Sequence, residues 1–395
     1  MSEIGELVAA FDGARAAGKR LALATVVDVQ GPAYRGEGAK MLIEEGGAVS
    51  CMISGGCLEG EVATIAELII ESGTPAIHRF DLDEDVLWGL GIGCGGSIDI
   101  YIEPLVSEPV MNSWFDALRQ KRPAVLATAI GGRSSANLSG APRRLLHSSG
   151  AEPQGTLGDR QADAAALQLA MGKLDQRHPR PETRYLPLAD GGSLQVFFDV
   201  NLPPPRLVLF GAGHDAIPLA EQAVKLGFEV TVVDARTAFA TAERFPGARI
   251  VLSQPVRLRD RIALDHRSYA VIMNHHIERD RVCLRFALES EAPYVGVLGP
   301  LSRYQRIKSL LADEGFEPSE DQEKRIFSPI GLDLGAEPPE EVALSILAEV
   351  LALHKGHPGG FLRGHPGKIH SRDTAASDTD APSAAAPAPS RETSR

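Results

Sequence analysis

The chain reads as an α/β protein, an N-terminal α+β domain followed by a doubly wound parallel sheet, and three observations predict this. After the proline run Leu202-Pro-Pro-Pro205, apolar strands and amphipathic helices alternate to the end of the ordered pattern. Alternation of that kind builds a parallel sheet covered on both faces. Within it, Leu207-Val-Leu-Phe-Gly-Ala-Gly-His-Asp-Ala216 is an apolar strand running into G-x-G-x-x-A, and Asp234 ends the next strand. That is the fingerprint of a Rossmann-like dinucleotide fold, in which Gly211 makes the turn, Gly213 admits a phosphate and Ala216 packs the helix. Ahead of it, helices mix with hairpin strands around two clusters of glycine and cysteine.

The elements follow from local pattern. Ile4, Leu7, Val8, Phe11 and Ala14 recur at helical spacing, so residues 3–18 form an amphipathic helix leading into the apolar strand Leu21 to Val29. Lys40 to Glu44 and Ala48 to Ile53 flank Glu-Gly-Gly, which predicts a hairpin with Cys51 on its second strand. From Leu58, the residues Val62, Ile65, Ala66 and Ile69 share a helical face that stops before Gly73. Ile77 to Phe80 and Ile98 to Ile102 read as strands, and this first domain spans residues 1–106. Residues 107–201 show a helix around Ser113 to Arg119, a strand at Ala124 to Ile130, and then loops. The proline run opens the Rossmann-like domain, 202–355, whose strands are Arg206 to Phe210, Glu229 to Val233, Ile250 to Leu252, Ala270 to Met273 and Tyr294 to Leu298. Helices start at His214 and Glu278, and a closing helix runs from Pro338 to Leu353. The Ala-, Pro-, Ser- and Asp-rich stretch 356–395 has little to bury and reads as disordered.

Composition narrows the chemistry. At 395 residues the chain exceeds one core, since a domain takes roughly 100 to 200 residues. A net charge of −12, from 52 acidic and 40 basic residues, argues against a general nucleic-acid or membrane-surface binder. The opening Met-Ser-Glu-Ile-Gly-Glu-Leu has no basic and apolar leader, and no segment reaches the roughly 18 apolar residues of a membrane span. The expectation is a cytoplasmic protein. Four cysteines are too few for a disulfide framework and would persist as thiols in a reducing compartment.

Three of those four thiols fall in the glycine clusters, Cys51-Met-Ile-Ser-Gly-Gly-Cys-Leu-Glu-Gly60 and Gly89-Leu-Gly-Ile-Gly-Cys-Gly-Gly96. Glycine N–H groups approach anions closely and a thiolate is a soft metal ligand. Ser54, Gly55, Gly56 and Cys57 sit at a strand-to-helix junction, where the positive end of the helix dipole favours an anion or a thiolate. Cys94 is set among Gly93, Gly95 and Gly96. Cys57 and Cys94 are therefore the candidates for a soft metal ligand, a redox thiol or a sulfur-transfer step, whereas Cys51 and Cys283 read as small core hydrophobes. The spacings do not make a zinc ribbon. Glu59 and Glu61 read as acids favouring the helix dipole. Arg35 is a loop cation that either pairs with a phosphate or is a solvated turn residue. In the second half, Asp234 either takes a ribose hydroxyl or caps its loop. His275, at the end of the fourth strand, either faces a ligand in the crevice or is structural, with His276 able to exchange roles with it.

These motifs in this order resemble the XdhC family of xanthine dehydrogenase accessory proteins. The resemblance rests on Ala24-Thr-Val-Val-Asp-Val-Gln-Gly31, Arg35, Gly38-Ala-Lys-Met41, Ser54-Gly-Gly-Cys-Leu-Glu59, Gly91-Ile-Gly-Cys-Gly-Gly96 and Glu103-Pro-Leu105 in the first half. In the second it rests on Pro203 to His214, Thr231-Val-Val-Asp-Ala-Arg236, Met273-Asn-His275, Tyr294 to Gly299 and Ser328 to Ala336. The family usually has Ser-Ser-Pro-Arg where this chain has Pro32-Ala-Tyr-Arg35, and often Thr-His-Asn where it has Asn274-His-His276. The resemblance implies a chaperone that binds the molybdenum cofactor (molybdopterin) and protects it while a cysteine desulfurase supplies its terminal sulfur. It then helps insert the cofactor into a molybdenum hydroxylase apoenzyme. Carried onto this sequence, Cys57 and Cys94 become the candidate contacts with the cofactor and its metal. Arg35, Ser54, Gly55, Gly56, Gly93, Gly95 and Gly96 around them, and Gly211, Gly213, His214, Asp234 and His275 in the Rossmann-like half, complete the candidate cofactor-binding residues. A homo-oligomer with little or no turnover of its own, a maturation factor more than an enzyme, is expected. Two rivals stay open: an NAD(P)-dependent oxidoreductase using Gly211, Gly213 and Asp234 with His275 as proton donor, and a non-catalytic Rossmann scaffold for partner binding.

Overall fold

The computed structural model describes residues 3–81, 96–133, 142–176 and 178–363. The predicted tail beyond residue 363 lies outside them. Two antiparallel sheets of five strands precede one parallel sheet of six. The first runs α1 (Glu3–Ala16), β1 (Leu21–Gln30), β2 (Lys40–Glu44), β3 (Val49–Ser50), α2 (Glu59–Ser72), β4 (Ala76–Asp81) and β5 (Ser97–Pro104), in spatial order β3-β2-β1-β5-β4. Period-two alternation gives β1 two apolar faces: Ala22, Ala24 and Val26 pack under α2, while Leu21 and Leu23 pack under α1.

Residues 107–201, expected to be mostly loops, repeat this plan. They form α3 (Pro109–Arg119), β6 (Ala124–Arg133), β7 (Arg144–Ser148), β8 (Gln154–Thr156), α4 (Arg160–Asp175), β9 (Glu182–Pro187) and β10 (Ser193–Asn201), in order β8-β7-β6-β10-β9. The two units share both element order and strand order. Register agrees as well: Leu23 opposes Glu103 as Leu126 opposes Asp199, and Thr25 opposes Lys40 as Thr128 opposes Arg144. The repeat was hidden because β9 buries only Leu186 and the buried stripe of α4 is Lys173 with three alanines, Ala162, Ala166 and Ala170, whose small side chains give a weak apolar signal.

The units pack through equivalent residues, as a pseudo-twofold requires. Val27 and its equivalent Ile130 meet Tyr101 and its equivalent Phe197 in one small cluster. Beside these, Phe11 of α1 stacks on Phe115 of α3, a pair one position off the equivalence, at 3.7 Å between ring centroids. Two ion pairs cross the interface reciprocally. Lys40 reaches Asp199 at 2.8 Å, and Arg144 bonds Glu103 with both side chains at or below 5% exposure.

The third sheet runs β11 (Arg206–Phe210), α5 (Ala216–Lys225), β12 (Glu229–Asp234), β13 (Arg249–Leu252), β14 (Ser268–Ile272), α6 (Ile277–Leu288), β15 (Tyr294–Val297), α7 (Leu301–Asp313), α8 (Glu320–Glu323), β16 (Ile326–Phe327) and α9 (Pro339–Lys355). Its order, β13-β12-β11-β14-β15-β16, is that of a full dinucleotide-binding sheet, and it reverses between β11 and β14. Cores lie on both faces, one closed by α5 and α9 and the other by α6 and α7. Among the described residues no helix is long and apolar enough to cross a membrane.

Candidate functional site

Ser54 organises the junction between β3 and α2. It is 5% exposed, its N–H donates to Glu59 Oε1 at 2.8 Å, and its hydroxyl donates to Glu59 Oε2 at 2.5 Å. The same hydroxyl oxygen accepts the N–H groups of Gly56 (3.3 Å) and Leu58 (3.2 Å), and the Cys57 thiol lies 3.5 Å from it. Burial pushes the Glu59 carboxyl up, yet the bonds from Ser54 and the neighbouring N–H groups outweigh it and hold the group below its ordinary value. Glu59 is therefore a clamp on the loop rather than only a dipole partner. Sequence reading missed it because the Ser54 to Glu59 spacing is not the three-residue step of a capping box.

The clamp leaves Cys57 exposed at the start of a helix that no side chain caps. The second unit treats the same place differently. There Thr156 and Asp163 tie the loop, Asp159 caps α4 by accepting from Gln161 and Ala162, and no cysteine is present. Around Cys57, the ring of Tyr34 (66% exposed) lies 3.6 Å from the space a side chain on Gly55 would need. Gly96 abuts the backbone carbonyls of Gln30 and Pro32, so no larger residue fits there and the end of the second glycine cluster meets the 31–35 loop. Arg35 is paired with Glu3 at 2.5 Å. Gly93, Cys94 and Gly95 lie outside the described residues.

Cys51 corrects an expectation. The second hairpin strand ends at Ser50, and Cys51 follows it in a left-handed turn with φ 64°. It is half-buried 3.6 Å from the Glu3 carbonyl, and burial, reinforced by Glu6 and Glu3, pushes its thiol up to about 11. A thiol in that state is neither a good ligand nor a nucleophile at neutral pH. Cys283 is buried in the Rossmann core as expected.

The Rossmann residues gather at the carboxyl ends of β11, β12 and β14. Gly211 turns the chain after β11, and His214 sits edge-on to Phe239 at 6.5 Å. Asp234 bonds Ala212 and Arg236, and His275 bonds Asp215 at 2.8 Å. The second unit meets this sheet at its opposite, amino-terminal edge, where His178 is 6.4 Å from His354 and His354 bonds Tyr269 at the start of β14. The expected contacts thus form two sets, one at the β3–α2 junction and one at the carboxyl ends of these strands. Among the described residues no group of three or more His, Cys, Asp or Glu side chains is arranged to hold a metal.

Fold and site together define a class: a duplicated α+β body that exposes the glycine-flanked thiol of Cys57, joined to a Rossmann domain. The model of the XdhC and CoxI family matches residues 14–81 and that of the XdhC Rossmann domain matches residues 207–350. The chain is 30% identical over 339 residues to a probable xanthine dehydrogenase subunit of Bacillus subtilis, covering 84% of this chain and 93% of that one. It is 23% identical over 337 residues to the molybdenum cofactor insertion chaperone PaoD of Escherichia coli, covering 85% of this chain and 84% of that protein. A Bacillus halodurans crystal structure described as a xanthine dehydrogenase superposes with a TM-score of 0.70 at 27% identity, over 90% of this chain and 96% of that one. The chain belongs to the XdhC family.

Proposed function

We propose that this chain is a molybdenum cofactor chaperone for a xanthine dehydrogenase-type molybdenum hydroxylase, and that the Ser54–Cys57 loop is where it holds its cargo. One observation carries the reading: of two equivalent helix starts, the chain caps α4 with Asp159 and leaves α2 uncapped beside an exposed thiol. An uncapped start offers N–H groups to an anion, and the adjacent thiol offers a soft donor. Molybdopterin presents both partners, a phosphate and a soft metal centre. Cys57 is the proposed metal contact, with Cys94 as its expected companion, and Gly55, Gly56 and Gly96 keep side chains out of the way. Arg35 would reach a phosphate by leaving Glu3. The relatives named for xanthine dehydrogenase and for cofactor insertion support the same cargo and the same class of client. In this reading the chain shields the cofactor while a cysteine desulfurase adds the terminal sulfur, and then passes it to the apoenzyme in the cytoplasm.

The test is retention. The full chain is loaded with molybdenum cofactor, desalted, and assayed for molybdenum and pterin. Cys57→Ala is expected to retain at least about tenfold less than the parent, whereas Cys51→Ala stays close to it. Equal retention by the two variants sinks the assignment of Cys57.

A further inference from the structure

A Rossmann sheet receives a dinucleotide through three features: a glycine loop open to the pyrophosphate, an acid for the ribose, and a pocket beside them for the base. In this chain each feature is already filled by protein. Asp234 is 3% exposed and has no acceptor capacity left. Its Oδ1 takes the Arg236 N–H (2.9 Å) and Nε (3.0 Å), and its Oδ2 takes the Ala212 N–H (2.8 Å) and Arg236 Nη2 (2.7 Å). A carboxylate offers about four lone-pair sites, and all are used. Between Val233, Ser253, Leu258, Asn274 and Cys283 the crevice is a hollow partly open to solvent, whose enclosed room of about 10 Å³ takes one water.

The glycine loop is filled in the same way. Gly213 lacks a side chain so that a phosphate can approach, but the space beside it holds Asp215 Oδ1, with His275 Nε2 3.5 Å away. Asp215 is fixed there by its bond to His275 Nε2 at 2.8 Å. His275 reaches it from a left-handed backbone, φ 59°, a conformation that a non-glycine residue keeps only when its surroundings enforce it. The enforcement is visible. Asn274 donates its backbone N–H and its side-chain amide to Asp280 Oδ1 at 3.1 and 3.0 Å, and Asp280, 1% exposed, is held by Arg303 at 2.6 Å.

We infer that this Rossmann crevice is closed to dinucleotides by its own side chains, with Asp215, held by His275, standing in the place of the pyrophosphate. The fold kept the dinucleotide architecture while the site became internal structure. The residues therefore do not fit NAD(P), and the oxidoreductase alternative loses its cofactor site.

Calorimetric titration of the full chain with NAD⁺ and, separately, with inorganic pyrophosphate tests this. The parent is expected to show no saturable NAD⁺ binding up to about 5 mM. Asp215→Ser opens the loop and is expected to bind pyrophosphate at least about tenfold more tightly than the parent. The Ser54–Cys57 loop is identical in both proteins, so any anion it takes cancels from the comparison. Asp215→Asn, which removes the charge but keeps the volume, serves if the serine variant melts early, and a smaller gain is expected from it. Parent binding of NAD⁺ below about 100 μM overturns the inference, and so does unchanged pyrophosphate affinity in both variants with normal melting curves.

Discussion

Arg144→Met is expected to lower the unfolding free energy by about 3–5 kcal/mol, read as a shift in the urea midpoint at constant slope. Arg144 is 4% exposed and its guanidinium bonds both Glu103 and Glu108. Burial pushes the Glu103 carboxyl up against the pull of Arg144, so the pair holds only while both members are present. Methionine fills the volume but leaves Glu103 as an acid without a counter-charge between two sheets. The double variant Glu103→Leu, Arg144→Met should recover most of the loss, because replacing a whole buried pair by apolar side chains is often neutral. A single-variant loss under about 1 kcal/mol would show that water reaches Glu103 and that the pair does not lock the two units. The reciprocal pair is wetter, with Lys40 15% and Asp199 8% exposed, so Lys40→Met should cost less.

The same residues show why half of the fold was legible and half was not. The Rossmann domain announces itself because a parallel sheet buried on both faces needs continuous apolar strands, and Arg206 to Phe210, with Gly211 after it, and Ser268 to Ile272 supply them. The duplication left a fainter trace. Leu23-Ala-Thr25 recurs as Leu126-Ala-Thr128, at matching positions of β1 and β6, while the partner strands β5 and β10 share little beyond an apolar alternation and one late acid. Equivalence there lies in register and charge reciprocity, which emerge only once strands are paired. At the site, the exposed thiol before a helix could be read from Cys57 and the pattern after Leu58. The clamp could not, because it joins Ser54 to Glu59 across a turn whose shape the glycines leave open. Asp215 was equally silent, since a variable position of the fingerprint carries no expected role.

Glu59→Ala should release that turn without touching the thiol. The carboxylate holds three of the bonds that shape the loop, from the Ser54 N–H, the Ser54 hydroxyl and the Leu58 N–H. Hydrogen bonds to a charged acceptor contribute about 1.5–3 kcal/mol each, and loops recover part of the loss through water, so the Ser54 and Leu58 amides should exchange about ten- to a hundredfold faster. The pH dependence has a fixed sign. Because the folded Glu59 carboxyl sits below its ordinary value, its contribution is present above about pH 4.3 and is lost as pH falls through the lower folded value. Loop protection should therefore be flat from about pH 5 to 8, after correction for intrinsic exchange, and fall only in acid. Cofactor retention separates shape from chemistry. If a preformed turn presents Cys57 to its cargo, Glu59→Ala loses retention although the thiol remains, and Glu59→Gln, which keeps one acceptor oxygen, falls between it and the parent. Parental retention in Glu59→Ala would mean that the thiol alone suffices and that the glycine turn needs no preorganisation.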